Sequence, residues 1–227
     1  MKATQILLPV AMGLFPALFP AQAVWSWSLE NAAEEGIKDI ALPMSYANQF
    51  PFVGSADVGY TDLQPQEDDD DGTSQVRGVF SNFIAGSTTD DDLCSEGADG
   101  GPGISCGLVF TGDYEHTYNV AIRNTGGATR TGTAVNTNTG EEHHLGSFEL
   151  PPGTKGIGGG HMGFVGDYVG VGGCGEMPKG GVVAGDPFSE SAKDVRGTIG
   201  EPGESGTCVG PEANWSAERT DADDGWL

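Results

Sequence analysis

The chain has 227 residues, of which 33 are acidic and 10 are basic, so its formal net charge is −23. This charge excludes nucleic acid and anionic membranes as partners, because both are polyanions. It permits a cation, a basic partner or a neutral glycan, and it also suits a heavily solvated surface in salty or acidic surroundings. The 38 glycines exclude a mostly helical fold, because each glycine inside a helix costs about 1 kcal/mol. Short strands joined by tight turns are therefore expected.

The first residues have the pattern of a cleaved export signal. Lys2 precedes an apolar stretch, Ile6–Phe19, and Ala21–Ala23 has the small-x-small form that signal peptidase recognises. Residues 1–23 are therefore predicted to be a signal peptide, with Val24 as the mature N-terminus. A membrane anchor is disfavoured, because the stretch is too short to cross about 30 Å of hydrocarbon and is interrupted by prolines. The sequence thus predicts a secreted protein without a membrane span in its mature form. The periplasm and the thylakoid lumen are the alternative destinations.

The rest of the chain is divided by composition into three parts. Residues 24–54 form an N-terminal segment that is expected to pack on the main domain, residues 55–210 form that domain, and residues 211–227 form an acidic C-terminal tail. The length suits a single domain. The fold class predicted is all-β: an antiparallel β-sandwich, jelly-roll or concanavalin-like, with two disulfides and little helix.

Four cysteines in an exported chain indicate two disulfides. Three pairings are possible, and the local one, which joins Cys94 to Cys106 and Cys174 to Cys208, is preferred. Loop closure would then contribute about 3 kcal/mol for the first bond and about 4 kcal/mol for the second. A zinc site is disfavoured, because spacings of 12, 68 and 34 residues match no zinc pattern.

The N-terminal segment carries two conflicting patterns. Val24–Pro43 is the only helix-like piece, with acids spaced as on one exposed helix face. Trp25 and Trp27 nevertheless alternate with serines, as in a strand. We expect both tryptophans to face the core. Met44–Gln64 then predicts one or two edge strands.

An acidic stretch separates these strands from the next one. Glu67–Gly72 imitates the first half of an EF-hand loop, but the twelfth position, which needs a bidentate acid, falls on Gly78. The stretch is therefore predicted to be a solvated hairpin loop rather than a cation site. Val76–Ile84, which follows, is apolar enough to be a strand inside a sheet.

The loop that the first predicted disulfide closes is both acidic and rich in glycine. Asp90, Asp92, Glu96 and Asp99 lie in it or just before it. Ca²⁺ takes about six to eight oxygen ligands from carboxylates and carbonyls. One hypothesis is therefore a calcium ion that braces this loop, and the alternative is simple solvent exposure of the four acids.

After this loop comes the clearest strand alternation in the chain. Leu108–Thr111 is a strand, and Tyr114, His116 and Tyr118 then share one face with the apolar residues that follow. One interpretation places this face in the core, with the Tyr and His residues at its wet end. The other makes Tyr114, His116, Tyr118 and Arg130 a surface that contacts a glycan.

The second half of the chain contains a predicted hairpin. Arg130–Asn136 and His144–Leu150 are its strands, and Thr137–Gly140 is its turn, because Asn and Gly tolerate positive φ. His143 and His144 lie beside acids. Adjacent strand residues point to opposite faces, however, so these histidines are not expected to share a metal ion.

Two later stretches contain patterns that occur in functional or modification sites. Gly156–Gly175 is rich in glycine but lacks the strand–loop–helix context of a nucleotide site. Asn214 begins the Asn-Trp-Ser glycosylation sequon, which is usable only in a eukaryotic secretory pathway.

Several short motifs occur in an order that resembles a known family. The motifs are Gly59-Tyr60-x-x-Leu63-Gln64, Val79-Phe80-Ser81, Cys94 with Glu96-Gly97, Gly101-x-Gly103-x-x-Cys106, Tyr118, Thr139-Gly140-Glu141, Leu145-Gly146, Pro151, Phe164-Val165 through Tyr168, Cys174 and Pro178. Their order is similar to that of an exported β-sandwich domain family of unknown function, some members of which are joined to carbohydrate-active modules. The resemblance covers roughly residues 55–210 and implies export and a β-sandwich, but no reaction. The chain departs from the pattern at Gly166, where the family usually has an acid.

These observations support three hypotheses of function. The first is an exported, non-catalytic carbohydrate-binding protein, whose partner is a glycan or polysaccharide and whose one candidate cofactor is Ca²⁺. The second is a polysaccharide lyase or a glycoside hydrolase on the same fold, and the third is an acidic structural or matrix protein that binds cations collectively. A lyase would need a Tyr/His acid–base pair and an arginine, and a hydrolase would need two carboxylates about 5 to 10 Å apart. The residues available to a lyase are Tyr114, His116, Tyr118, Arg123 and Arg130.

Overall fold

The described part of the chain consists of strands joined by turns, as its glycine content and its alternation of apolar and polar residues predict. The structure, a computed structural model, describes residues 22–32, 34–43, 47–166, 180–205 and 215–220. These ranges contain fifteen strands and no helix. The all-β prediction is therefore confirmed for the described part of the chain.

Several predicted features lie outside the described residues. They are residues 1–21 of the predicted signal peptide, Cys174, Cys208, Asn214 and the whole of the predicted tail except residues 215–220. No helix within the described ranges is long and apolar enough to cross a membrane.

The fifteen strands are numbered in chain order. They are β1 (Gln22–Glu30), β2 (Asp39–Pro43), β3 (Ala47–Pro51), β4 (Val58–Pro65), β5 (Gln75–Asn82), β6 (Cys94–Ala98), β7 (Gly101–Thr111), β8 (Tyr118–Gly126), β9 (Thr129–Asn136), β10 (Glu142–Glu149), β11 (Gly160–Gly166), β12 (Gly180–Gly185), β13 (Arg196–Ile199), β14 (Gly203–Ser205) and β15 (Trp215–Thr220).

Hydrogen bonds join the strands of the described residues into three sheets. The largest has nine strands in the order β13-β1-β11-β3-β4-β5-β7-β6, with β14 also paired to β1. The second has four strands in the order β10-β9-β8-β2, and β12 pairs with β15. The β12–β15 pair is parallel, whereas the pairs of the two larger sheets are antiparallel.

The N-terminal segment is strand and not helix. Val24–Pro43 contains most of β1 and all of β2. The helix-like interpretation of this stretch, which was based on the spacing of its acids, was therefore wrong. Pairing of β1 with β11 on one side and with β13 and β14 on the other satisfies its backbone groups, and such tertiary pairing overrides local propensity. Trp25 and Trp27 are buried in the core, as their alternation predicts.

The strands of the next segment lie inside the large sheet. β3 pairs with both β11 and β4, and β4 pairs with both β3 and β5. The prediction of edge strands for Met44–Gln64 was therefore wrong, because the number of neighbours of a strand depends on distant parts of the chain. β5, predicted to lie inside a sheet, does pair on both sides, with β4 and β7.

The first predicted disulfide and the predicted hairpin turn are confirmed, whereas the predicted Cys174–Cys208 bond lies outside the described residues. Cys94 and Cys106 form a disulfide between paired positions of β6 and β7. Thr137–Gly140 joins β9 to β10, and Gly140 has a φ of 76°. The turn between β6 and β7 is an Asp-Gly pair, Asp99–Gly100, with φ values of 49° and 77°, as in a type I′ hairpin turn.

The four-stranded sheet packs against one face of the large sheet through aromatic rings that lie over glycines. Phe80 of β5 stacks on Phe148 of β10, with ring centroids 4.5 Å apart and planes 16° apart. The same Phe80 ring covers Gly132 of β9, where a Cβ would lie only 2.4 Å from the ring Cγ. At Gly146 of β10 a Cβ would lie 2.4 Å from Cys106 Cβ, so the disulfide also packs directly on backbone.

Replacing Gly132 with Ala is expected to destabilise the protein by about 1 to 3 kcal/mol, the usual cost of overpacking a core. The added Cβ would displace the Phe80 ring, which lies between Gly132 and the rest of the interface. Chemical denaturation of the variant measures the loss. Gly126→Ala is the matched control, because a Cβ at Gly126 meets nothing within 4 Å. Equal stability of the two variants would contradict the close approach of the sheets.

Candidate functional site

The four acids predicted to bind calcium are spread along the β6–β7 hairpin. Asp90 and Asp92 are exposed just before β6, Glu96 is exposed within it, and Asp99 is in the turn at its far end. β6 alone is about 15 Å long, whereas Ca²⁺ lies about 2.3 to 2.6 Å from each ligand. Among the described residues, no group of three or more His, Cys, Asp or Glu side chains is placed to hold a metal ion.

The acid that is fixed in this region is Asp91, which the sequence analysis did not single out. Its Oδ2 lies 2.7 Å from His144 Nε2, and its Oδ1 accepts a hydrogen bond from Leu93 N. Burial acts to raise the pKa of Asp91, but the hydrogen bonds from His144 and Leu93 outweigh burial and lower it. Asp91 therefore joins β10, through His144, to the segment that precedes β6, close to the disulfide.

The Tyr-His-Tyr stripe is divided between a turn and a strand. Tyr114 and His116 lie in the turn between β7 and β8, and Tyr118 is the first residue of β8. Tyr118 is buried in the core, and His116 is half-buried. The interpretation that this stripe enters the core therefore holds for Tyr118. Tyr114 and His116 lie at its solvent-exposed end.

Hydrogen bonds fix the orientation of His116 and Tyr118. Asn136 Oδ1 accepts from Asn138 N and Thr139 N, so Asn136 Nδ2 faces His116 Nδ1 at 3.0 Å and Tyr118 OH at 3.4 Å. The amide can only donate through Nδ2, and this assigns Nδ1 of His116 as an acceptor. Both groups that an acid–base pair of a lyase would use are thus engaged within the protein.

The proton of His116 is then on Nε2, which lies 3.6 Å from Asp113 Oδ2. Asp113 N also donates to Tyr118 OH. Burial raises the pKa of Tyr118, and the negative charges of Asp113 and Glu141 raise it further. The carboxylates of Asp113 and Glu141 therefore act on the Tyr118 hydroxyl.

Tyr114 is anchored by its hydroxyl while its ring remains exposed. The OH donates a shared hydrogen bond to Gln75 O at 2.7 Å and Gln66 O at 3.1 Å, at the base of the β4–β5 hairpin. Tyr114 is 49 % exposed, and Val109 of β7 is 53 % exposed. They are the two exposed large hydrophobic residues of the described chain. Val109 pairs with Arg77 of β5, two residues along that strand from Gln75.

The two adjacent histidines of β10 point to opposite faces, as the pleat requires. His143 stacks on Phe110 of β7, with ring centroids 3.9 Å apart and planes 16° apart. His144 instead contacts Asp91. The prediction that His143 and His144 do not share a metal ion agrees with these separate environments.

Arg130 lies apart from the tyrosine and histidine residues. It is near the start of β9, six residues and about 20 Å from Asn136 along the strand. Its guanidinium donates to Lys155 O at 2.7 Å and lies over the Phe52 ring at 5.9 Å. Burial lowers the pKa of Arg130. The structure therefore gives Arg130 a role in the core and does not join it to Tyr114.

A buried carboxyl group on β4 was missed by the sequence analysis. Tyr60, Asp62 and Gln64 alternate on one face of the strand, and Asp62 Oδ2 accepts from Tyr60 OH at 2.9 Å and from Gln64 Nε2 at 2.7 Å. Burial raises the pKa of Asp62 and outweighs these hydrogen bonds and the charge of Arg77. The sequence pattern that indicates this buried carboxyl group is the alternation of the polar residues Tyr60, Asp62 and Gln64 along one strand.

Comparison with known proteins adds no assignment to this geometry. No protein-family model matches the chain, and no curated protein is significantly similar to it.

Asp62→Asn is expected to stabilise the protein at neutral pH. The pKa of Asp62 is raised above its ordinary value of 3.8, so the folded state binds more protons than the unfolded state between the two pKa values, and stability falls as pH rises through that window. An amide keeps the acceptor for Tyr60 and Gln64 without a buried charge. Thermal melts from pH 3 to pH 8 measure the difference, which should shrink on acidification. A variant less stable than the native protein at neutral pH would refute this account.

Asp91→Asn is expected to have the opposite effect. The pKa of Asp91 is lowered, so its carboxylate contributes stability above its ordinary pKa of 3.8, and this contribution is lost as pH falls through the folded-state pKa. The variant should therefore melt lower than the native protein at neutral pH and approach it in strong acid. The same series of melts checks this, and a constant difference at all pH values would contradict it.

Proposed function

We propose that the protein is an exported, non-catalytic carbohydrate-binding protein whose two large sheets form a β-sandwich. The sandwich is supported by the direct packing of β5 and β7 on β9 and β10, through Phe80, Phe148 and the glycines beneath the rings. Export is supported by the signal-like first residues and by the Cys94–Cys106 disulfide, because disulfides persist in oxidising compartments.

The observation that carries the binding function is the anchored, exposed ring of Tyr114. An aromatic side chain that is held by its hydroxyl loses little conformational freedom when a ligand binds, and its face can pack on the apolar face of a sugar ring. Gln66 and Gln75 hold Tyr114 through main-chain carbonyls only, so the ring position is fixed by the β4–β5 hairpin.

A binding protein is favoured over a lyase. His116 Nδ1 faces the amide of Asn136, and Tyr118 OH lies between Asp113 N and the same amide. A general acid or base must reach the proton that it transfers to or from the substrate. Of the two arginines available to a lyase, Arg130 lies about 20 Å away along β9. Arg123 lies five residues, or about 17 Å, along β8 from Tyr118 and pairs with Glu190.

Calcium is not part of this proposal. Asp90, Asp92, Glu96 and Asp99 occupy both ends and the middle of the hairpin, so they do not converge on one ion. Binding of a glycan is accordingly expected to be the same in Ca²⁺ and in EDTA.

Tyr114→Ala is expected to weaken glycan binding about tenfold or more, which corresponds to the loss of about 1.4 kcal/mol of ring contact. A glycan array identifies ligands of the purified protein, and titration calorimetry then compares the variants on one of them. Tyr114→Phe keeps the ring but removes its hydroxyl anchor, so its affinity should lie between those of the native protein and Tyr114→Ala. Absence of saturable binding to any glycan would overturn the proposal. Bulk, non-saturable uptake of cations would instead favour the acidic matrix protein.

A further inference from the structure

The face of the large sheet that carries Tyr60 and Phe164, here called the outer face, lies opposite the main core. Its buried apolar residues form a cluster of their own: Ala47, Tyr60, Val79 and Phe164. Within the described part of the chain, that cluster contains no residue of the four-stranded sheet. Toward the borders of this face, Ser26 of β1 and Val109 of β7 are exposed. The outer face is therefore open to solvent at its borders.

The middle of the outer face is buried, although it is polar. In β3 and β4 every residue except the last one of each strand is buried. Tyr60, Asp62 and Gln64 alternate along β4 and so share the outer face. Gln49 of β3 is paired with Tyr60 and lies on the same face. These four residues are here called the polar strip. Strands that are buried on both faces usually carry apolar side chains on both, so the strip calls for a physical reason.

Gln49 is the member of the polar strip whose side chain the fold leaves without a partner. It is only 4 % exposed, and no residue of the described ranges donates to or accepts from its side-chain amide. Asp62, by contrast, accepts from Tyr60 OH at 2.9 Å and from Gln64 Nε2 at 2.7 Å. A buried polar group that lacks a partner destabilises the fold. A ligand that bonds to the Gln49 amide would remove this destabilisation.

Asp62 is a second group that folding by itself does not require. Its carboxyl group is buried, and an amide at the same position is expected to stabilise the protein at neutral pH. Arg77 pairs with Gln64 across the strands, and its charge acts on Asp62. Toward β11, the Phe164 ring lies 6.4 Å from the Tyr60 ring. The polar strip therefore combines hydrogen-bonding groups with aromatic rings, and its one acid is offset by a nearby arginine.

We propose that the polar strip is a binding site for an uncharged saccharide. The inference rests on the proposed function, which supplies the class of ligand, and it assigns a site on β3 and β4, whereas Tyr114 lies between β7 and β8. A carboxamide both donates and accepts hydrogen bonds, so Gln49 can bond to neighbouring hydroxyl groups of one sugar ring. The Tyr60 ring offers an apolar contact beside it. Apolar walls with a few polar groups are typical of small-molecule sites.

An uncharged ligand is preferred to a uronate or an amino sugar. Asp62 and Arg77 act on each other, so neither is left to pair with a charge on the ligand. A charge that is buried without a partner is strongly unfavourable. Hydroxyl groups, in contrast, need only the donors and acceptors that the polar strip provides.

The test removes the Gln49 amide but keeps a side chain of similar size, as Gln49→Leu. Calorimetry on the purified protein first compares four neutral hexasaccharides: cellohexaose, laminarihexaose, xylohexaose and N-acetylglucosamine hexamer. For the one that binds most tightly, Gln49→Leu is expected to lower the affinity about tenfold or more. Its melting temperature should equal or exceed that of the native protein, because the amide has no partner to lose among the described residues.

Asn119→Leu is the matched control, since it also replaces a partly buried carboxamide on a strand. Asn119 lies on β8 of the four-stranded sheet, so this variant should bind the hexasaccharide as the native protein does. Asp62→Asn gives a second readout, because its NH₂ group replaces one of the two acceptor oxygens. It should melt higher than the native protein at neutral pH and yet bind the hexasaccharide more weakly.

The possible outcomes distinguish this inference from the function on which it rests. Unchanged affinity of Gln49→Leu for a hexasaccharide whose binding Tyr114→Ala weakens would overturn the site and leave carbohydrate binding intact. A large loss of stability in Gln49→Leu would also overturn it, because the amide would then be bonded within the fold. Tighter binding of hexagalacturonate or glucosamine hexamer than of every neutral hexasaccharide would overturn the uncharged ligand. No saturable binding of any glycan would overturn both the site and the proposed function.

Discussion

The close approach of the two large sheets is the constraint on which the rest of the structure depends. Phe80 lies flat against Gly132 and stacks on Phe148, and the Cys94–Cys106 disulfide lies on the backbone of Gly146. A side chain at either glycine would hold the sheets apart. Core interiors are packed too densely to absorb even one methyl group without displacement. The high glycine content of the chain is thus used partly at this interface and not only in turns.

The same region of the structure contains the turn that carries Tyr114. β10 packs on β7, where His143 stacks on Phe110, and six residues join the end of β7 to the start of β8. Asn136 then joins the β9–β10 turn to His116 and Tyr118. The turn that carries Tyr114 is held by the Tyr114 hydroxyl, which donates to Gln66 O and Gln75 O, and by Asn136, which bonds to His116.

Acidic residues occur in three different environments in this protein, although the net charge alone suggests a single kind of exposed acid. Asp62 is buried, with a raised pKa, and Asp91 is hydrogen-bonded to His144, with a lowered pKa. The exposed run Glu67–Asp71 is free of ion pairs with the described lysines and arginines. A net charge of −23 therefore does not describe one uniform surface.

The sequence by itself determined the features that depend on neighbouring residues. Strand alternation at Trp25 and Trp27, the hairpin turn at Thr137–Gly140 and the Cys94–Cys106 bond are local, because the pleat has a period of two and turns and short loops close within a few residues. Only the tertiary structure decided which strands are interior, that Asp91 meets His144 fifty-three positions away, and that the four predicted calcium ligands lie apart. These outcomes depend on the order of strands in the sheets. That order is set by contacts between distant segments, which no local pattern encodes.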